Sequence, residues 1–147
     1  TLWLSPTLAA SDAGAWLRFH TGCTVVADAA QARFVWVAQG DALPALNRLA
    51  LGTDIYPDQS ATCVVDVSRA AATTADASDA WHLRGPGIRD VAALRVDGLP
   101  DDFEAQWAAN HGVFPRGVDL LLATADHIVG LPRTTRATRG ATALQEA

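Results

Sequence analysis

Three short stretches of this chain are apolar on both of their alternating faces, and that restricts the architectures open to it. In Arg33–Ala38, Phe34 and Trp36 alternate with Val35 and Val37, and the stretches 61–67 and 118–123 are similarly apolar. A strand with no polar side has to be covered on both faces, which is the pattern of interior strands in α/β sheets and not of open antiparallel meanders. Helical patterns fall between these strands. Such interleaving predicts a single α/β domain with a mixed β-sheet flanked by helices.

The remaining elements follow from local signals. Leu2–Leu4 reads as a short strand, and Ser5-Pro6 opens a helix with the proline tolerated in its first turn. Ala9, Ala13, Trp16 and Leu17 form the expected buried stripe of that helix, which Gly22 closes. Asp41 is placed to cap a second helix with Leu43, Leu46 and Ala50 inward and Gly52 at its end. The small, polar segment 69–79 reads as an exposed connection. Strands are expected at 81–84 and 92–96 around the turn Gly85-Pro86-Gly87. Asp101 and Glu104 resemble a capping box ahead of a third helix with Phe103 and Trp107 on its apolar face. Residues 118–123 and 127–131 pattern as two strands joined by a tight turn at Ala125-Asp126. The expected domain is therefore 1–135, followed by a polar tail over 136–147 without core-forming pattern.

Composition removes several function classes. The 147 residues are 50% hydrophobic and 18% charged, which is globular and not disordered. A net charge of −5 argues against a general nucleic-acid binder. No apolar run reaches the length of a membrane span, since Asp66 and Asp119 interrupt the best candidates. All 11 basic residues are arginine. A GC-rich coding sequence accounts for that bias. Its chemical consequence is that no side chain here can form a Schiff base with pyridoxal phosphate or serve as a P-loop lysine. Cys23 and Cys63 stand forty positions apart with no C-x-x-C partner, which reads as two buried thiols in a reducing cytosol, with a single disulfide as the alternative. There is no methionine, even at the start, so a processed or trimmed N-terminus is expected.

Candidate chemistry is sparse. His20 continues the stripe of the first helix, His111 ends the third helix where the dipole favours its charge, and His82 and His127 fall on strands without an evident partner. There is no G-x-S-x-G elbow, and Cys63 sits inside an apolar strand where a thiolate is disfavoured. Two segments stand out. Phe114-Pro115-Arg116-Gly117-Val118-Asp119 sets a rigid entry before an apolar strand, with a carboxylate that must be paired or lie at the sheet's end. Leu131-Pro132-Arg133-Thr134-Thr135 leaves the neighbouring strand. If the two strands form a hairpin, Asp119 and Arg133 come within pairing distance, either as a structural ion pair or with Arg133 offered to an anion or partner. The candidate partner or anion contacts are Phe114, Arg116, Asp119, Arg133 and Thr134; no catalytic, cofactor or metal residue is assigned.

These motifs occur in a familiar order. Arg18-Phe19-His20-Thr21, Gly52-Thr53, Ala61-Thr62, Gly85-Pro86-Gly87-Ile88, the Phe114–Leu121 segment and Leu131–Thr135 together resemble the H-subunit family of the bacterial carbon–phosphorus lyase system. The likeness spans nearly the whole chain, and the two C-terminal motifs are its most specific part. Members are longer ahead of Leu2, so the resemblance implies that the N-terminal part of the family domain is missing here. It also implies a fold like the pyridoxal-phosphate-dependent transferases without their cofactor site. The implied role is a cytoplasmic subunit, dimeric and associated with the G, I and J subunits. That complex converts ATP and methylphosphonate to ribose 1-methylphosphonate 5-triphosphate in phosphonate catabolism. The radical step that breaks the C–P bond needs an iron–sulfur cluster in the J subunit; two isolated cysteines do not hold one.

Two readings of different class follow. One is an accessory, non-catalytic subunit of that complex. The other is an autonomous phosphate- or phosphonate-binding protein, or a small enzyme, acting through Arg133 and Asp119.

Overall fold

The computed structural model describes residues 1–140. The three doubly apolar stretches do become neighbouring interior strands. β1 (Leu2–Leu4), β2 (Phe34–Val37), β3 (Thr62–Asp66), β4 (Arg69–Ala72), β5 (Trp81–Arg84), β6 (Ala92–Asp97), β7 (Asp119–Ala123), β8 (Ile128–Leu131) and β9 (Arg136–Arg139) alternate with three helices, α1 (Pro6–Ala9), α2 (Ala13–Thr21) and α3 (Phe103–Gly112). The strands build two sheets where one was expected. The first is ordered β1-β2-β3-β7-β8, with β1, β2, β3 and β7 mutually parallel and β8 antiparallel at the edge. The second, β4-β6-β5-β9, is wholly antiparallel. The domain is thus a single mixed α/β unit in which three strands of the second sheet fall between β3 and β7 and the fourth, β9, follows β8.

Side-chain alternation shows where the core lies. Val35, Val37, Cys63, Val65, Leu120, Leu122 and Leu131 are buried along one face of the first sheet. They join Ala70, Trp81, Leu83, Leu94, Val96 and Ala137 of the second sheet, with Phe103 and Trp107 of α3, in one cluster. Trp81 meets Phe103 edge-on at 5.5 Å, Phe103 stacks on Trp107 at 5.8 Å, and the Arg139 guanidinium lies 4.5 Å over the Trp81 ring. Trp107 is fully buried, and its indole N–H donates to the Thr135 carbonyl at 2.8 Å. His127 links the sheets, with Nε2 2.5 Å from the Ala70 carbonyl and Nδ1 2.7 Å from the Asp126 carboxylate. Those acceptors, the Ala70 carbonyl first, raise the imidazole above its ordinary value.

Several expectations need correcting. The helix expected to run from Pro6 to Gly22 is broken after Ala9, and α2 buries no residue: Trp16 and Phe19 are exposed. His20 lies against the Trp16 and Phe19 rings. Asp41 caps no second helix, because its carboxylate accepts from the Thr7 amide and hydroxyl, at 2.9 and 2.7 Å, in the first turn of α1. Only a 3₁₀ turn at Leu46–Arg48 forms there, following Pro44, and the Gln106 side chain takes the Leu46 N–H. No capping box forms on α3. Glu104 accepts from the Arg139 amide, and Asp102 accepts from Gln106.

The segment 69–79 is not all connection, since Arg69–Ala72 is β4. Nor is 136–147 all tail. Arg136–Arg139 is β9, paired with β5 and burying Ala137, and residues 141–147 lie outside those described. Alanine-rich β4 and arginine-flanked β9 carry little intrinsic strand preference, so their pairing partners decide their state.

If the aromatic cluster centres the core, Trp107→Ala should lower stability by about 3–5 kcal/mol. Trp107→Phe should cost less, losing chiefly the bond to Thr135. Urea unfolding followed by circular dichroism measures both, and a loss below 1 kcal/mol for the alanine variant would contradict this packing.

Candidate functional site

The two C-terminal motifs meet at the N-terminal ends of β3 and β7. Because β7 and β8 form a hairpin, with Leu120 opposite Leu131, the start of one strand lies beside the exit of the other. Arg133 leaves β8 there, and its guanidinium is the hub. Nε donates to Asp119 Oδ1 at 3.1 Å, and Nη2 donates to Asp119 Oδ2 at 2.5 Å and to Ser60 Oγ at 2.6 Å. Nη1 donates to the carbonyls of Pro57 at 2.9 Å and Pro115 at 3.3 Å. Arginine has five N–H donors, and all five are engaged. The backbone amide of Arg133 donates to Asp119 as well, at 2.7 Å.

Asp119 therefore accepts three bonds from one residue. Burial works to raise its carboxyl, but the hydrogen bonds and charge of Arg133 prevail and hold it below the ordinary carboxylate range. The cost of enclosing both charges is offset by a bidentate, fully bonded geometry. Neighbouring Cys63 feels the same surroundings. Burial and the Asp119 charge push its thiol up to about 12, which removes it as a nucleophile.

The approach to Asp119 is held with similar economy. The Asn110 side chain accepts from the Val118 amide at 2.8 Å and donates to the Val118 carbonyl at 3.0 Å, clamping the start of β7 to α3. Gly117 precedes this clamp with φ +125°, and a Cβ there would stand 3.0 Å from both the carbonyl oxygen and Oδ1 of Asn110. The Phe114–Pro115 peptide bond is cis. Gly85 of the Gly-Pro-Gly turn abuts Thr134, where a Cβ would lie 2.9 Å from the Thr134 carbonyl. Three of the quoted motifs therefore converge on the Arg133–Thr134 corner.

Two loops, 53–58 and 113–117, are fastened side by side through these bonds. Besides the shared Arg133, the Gly117 amide donates to the Leu51 carbonyl at 2.9 Å, and Arg116 Nε lies 3.2 Å from an Asp54 carboxylate oxygen. Outward they present large apolar side chains: Ile55 is 80% exposed, Tyr56 56% and Phe114 58%. Sequence reasoning named Phe114 but not Ile55 or Tyr56. Nothing in the local pattern showed that their loop lies beside residue 114; the bonds of Arg133, Gly117 and Arg116 across the two loops reveal it. Arg116 is half-exposed and Thr134 partly buried. Among the described residues no group of three or more His, Cys, Asp or Glu side chains is placed to hold a metal. Likewise no helix among them is long and apolar enough to cross a membrane. Both cysteines are free thiols, but only Cys63 is buried; Cys23, expected to be buried as well, is partly exposed just beyond α2.

Comparison with known proteins places this corner in context. Residues 1–138 match the family described as "Bacterial phosphonate metabolism protein (PhnH)". The chain belongs to the PhnH family. It is 41% identical over 138 residues to the alpha-D-ribose 1-methylphosphonate 5-triphosphate synthase subunit PhnH of Rhizobium meliloti (strain 1021), an alignment covering 94% of this chain and 66% of that protein. It is 38% identical over 87 residues to the putative C-P lyase subunit protein HtxG of Stutzerimonas stutzeri, covering 58% and 41% respectively. The chain thus spans less than two thirds of either relative. A PhnH-family motif that looks like an exposed ligand site in sequence is, at Arg133, an internal fastening.

Arg133→Lys should accordingly destabilise the domain by about 2–4 kcal/mol, since three rotatable donors cannot replace five in a planar fork. Denaturant midpoints compare the two proteins; an unchanged midpoint would mean that the fastening contributes nothing. A second expectation concerns acid. With its folded value depressed, Asp119 stabilises the protein fully above its unfolded value, about 3.9, and loses that contribution as pH falls through the folded value. Asp119→Asn should flatten the acid limb of the stability profile between about pH 5 and pH 2.

Proposed function

We propose that this protein is an accessory, non-catalytic subunit of a carbon–phosphorus lyase core complex. In this reading it supports formation of ribose 1-methylphosphonate 5-triphosphate from ATP and methylphosphonate, alongside G, I and J subunits in the cytoplasm. The observation that carries it is the apolar display of Ile55, Tyr56 and Phe114 on two loops that Arg133 holds rigid. Large aromatic side chains on a pre-organised surface favour protein docking, because little conformational entropy is lost when a partner covers them. Membership of the PhnH family and the subunit names of both relatives support the same role. Self-association and a likeness to the pyridoxal-phosphate-dependent transferases belong to this proposal too. They rest on the family resemblance alone.

A phosphate or phosphonate site at Arg133 and Asp119 is the competing reading. It asks for an N–H directed at an anion, and the guanidinium has none unspent. The paired carboxylate also cancels much of the local positive charge.

Co-expression with tagged G, I and J subunits tests the docking role. The wild-type chain should co-elute in fixed stoichiometry. Phe114→Asp, at an exposed position that leaves the fold intact by circular dichroism, should weaken retention at least tenfold, the effect of losing about 1.4 kcal/mol or more at an interface anchor. Full retention of the variant would remove this surface from the interface, and a wild-type chain that never co-elutes would refute the subunit role.

A further inference from the structure

The outer face of the second sheet carries its charges unevenly. On the β4–β6 side each arginine has a carboxylate. Arg69 lies opposite Asp97, with Nε 3.3 Å from Oδ2, and Arg95 Nε stands 2.7 Å from Asp79 Oδ2. On the β5–β9 side the balance is lost. Arg84 and Arg136 are direct cross-strand partners, and Leu83 and Ala137 beside them are buried, so both arginines project from the outer face, where they are exposed. Residues opposite each other in an antiparallel pair have Cβ atoms only about 4.5–5.5 Å apart, and like charges placed there destabilise the sheet. Among the described residues neither guanidinium makes an ion pair.

Each is tethered instead by one bond to a neutral acceptor. Arg84 Nη1 donates to the Asp90 carbonyl at 3.4 Å, and Arg136 Nε donates to His111 Nε2 at 3.2 Å. His111 accepts there because its Nδ1 faces the Arg133 carbonyl at 3.0 Å, which can only accept, so the ring proton sits on Nδ1. The tether on Nε leaves both terminal amino groups of Arg136 unspent. Arg133, three positions earlier, has no donor left, whereas Arg84 and Arg136 each keep four of an arginine's five N–H groups. The approach is open as well: the Gly85-Pro86-Gly87 turn follows Arg84, and a Cβ on Gly87 would meet nothing within 4 Å.

A cationic pair that repels itself gains stability from an anion placed between its members, and the geometry selects which. Two guanidinium forks on neighbouring strands require acceptor oxygens in more than one plane and two negative charges to balance them. A carboxylate offers one plane and one charge. A tetrahedral dianion meets both requirements, and arginine engages such groups through paired N–H···O bonds. We propose that Arg84 and Arg136 form a binding site for a dianionic phosphoryl or phosphonyl group, with His111 as the positioning residue that orients Arg136. The site lies on the outer face of the second sheet, apart from the internal Arg133–Asp119 pair, and does not depend on the subunit role.

Amide NMR of the chain at low ionic strength, titrated with inorganic phosphate and separately with phenyl phosphate, tests the assignment. Both anions should shift the resonances around Arg84, Gly85, Arg136 and Ala137 along one saturating curve, and tighter binding of the monoester identifies the ligand as the head group of a larger molecule. Arg84→Gln and Arg136→Gln should each weaken binding at least tenfold. Arg18→Gln, at an exposed arginine on α2, should leave it unchanged and so controls for net charge. Circular dichroism verifies that the variants stay folded, and Arg84→Gln disturbs only a bond to a carbonyl. Absence of saturable shifts with either anion would overturn the proposal. So would unchanged binding in both glutamine variants, or shifts confined to the Asp119–Arg133 corner. Saturable binding of an oligoglutamate peptide to this face without binding of phosphate would also overturn it, assigning the cationic pair to an acidic protein segment.

Discussion

A single guanidinium decides how four separated pieces of chain meet. Arg133 joins the exit of β8, the entry of β7, the Pro57–Ser60 turn and the cis-proline loop, and each bond it makes removes an acceptor that would otherwise face a poor environment. Ser60 is nearly buried, and the Asp119 carboxylate is partly withdrawn from water. Lysine could neutralise Asp119 but could not also reach two carbonyls and a hydroxyl in fixed directions. The lysine-free composition therefore costs this corner nothing. What it needs is a planar fork, and that is the form in which all of the chain's basic side chains come.

The corner in turn positions the two sheets. β9 begins three residues beyond Arg133, and the carbonyl of Thr135 between them holds the Trp107 indole, so the same turn that fastens the first sheet's edge delivers the last strand to the second. His127 makes a further tie between the sheets from the other end of the β7–β8 hairpin. The hairpin is bonded at both ends, while the face between its ends and β2 carries apolar side chains without cover.

Much of this was legible from sequence where one residue's pattern sufficed. The doubly apolar strands, the Trp81–Arg84 strand, the Phe103–Trp107 face and the hairpin with its Asp119–Arg133 pairing all follow from alternation, helical spacing or turn chemistry. The failures share a physical origin. Asp41, Glu104 and Asp102 have the composition of helix caps, yet distant partners claim their carboxylates. Ala70 and Ala137 lie in strands whose state is set by neighbours in the second sheet, which local propensity does not register. The second sheet itself was missed because its members are scattered on both sides of the first sheet's last hairpin. Ile55 and Tyr56 escaped notice for the same reason, being distant in sequence from Phe114.

The distinction between a charged motif and an available charge bears on function. In sequence, Leu131–Thr135 and Phe114–Asp119 look like an anion site: arginines, threonines, a proline-stiffened loop and an acidic neighbour. In three dimensions the arginine is satisfied, the carboxylate is neutralised, and the thiol between the strands is too weak an acid to ionise. An anion arriving here would have to displace bonds that are already charge-assisted, exchanging one buried pair for another with little net gain. A protein partner asks for something different. It needs the loops to hold still while their apolar side chains are covered, and every bond that withdraws Arg133 from solvent increases that rigidity. The chemistry that makes this corner unpromising for a ligand is what suits it to docking.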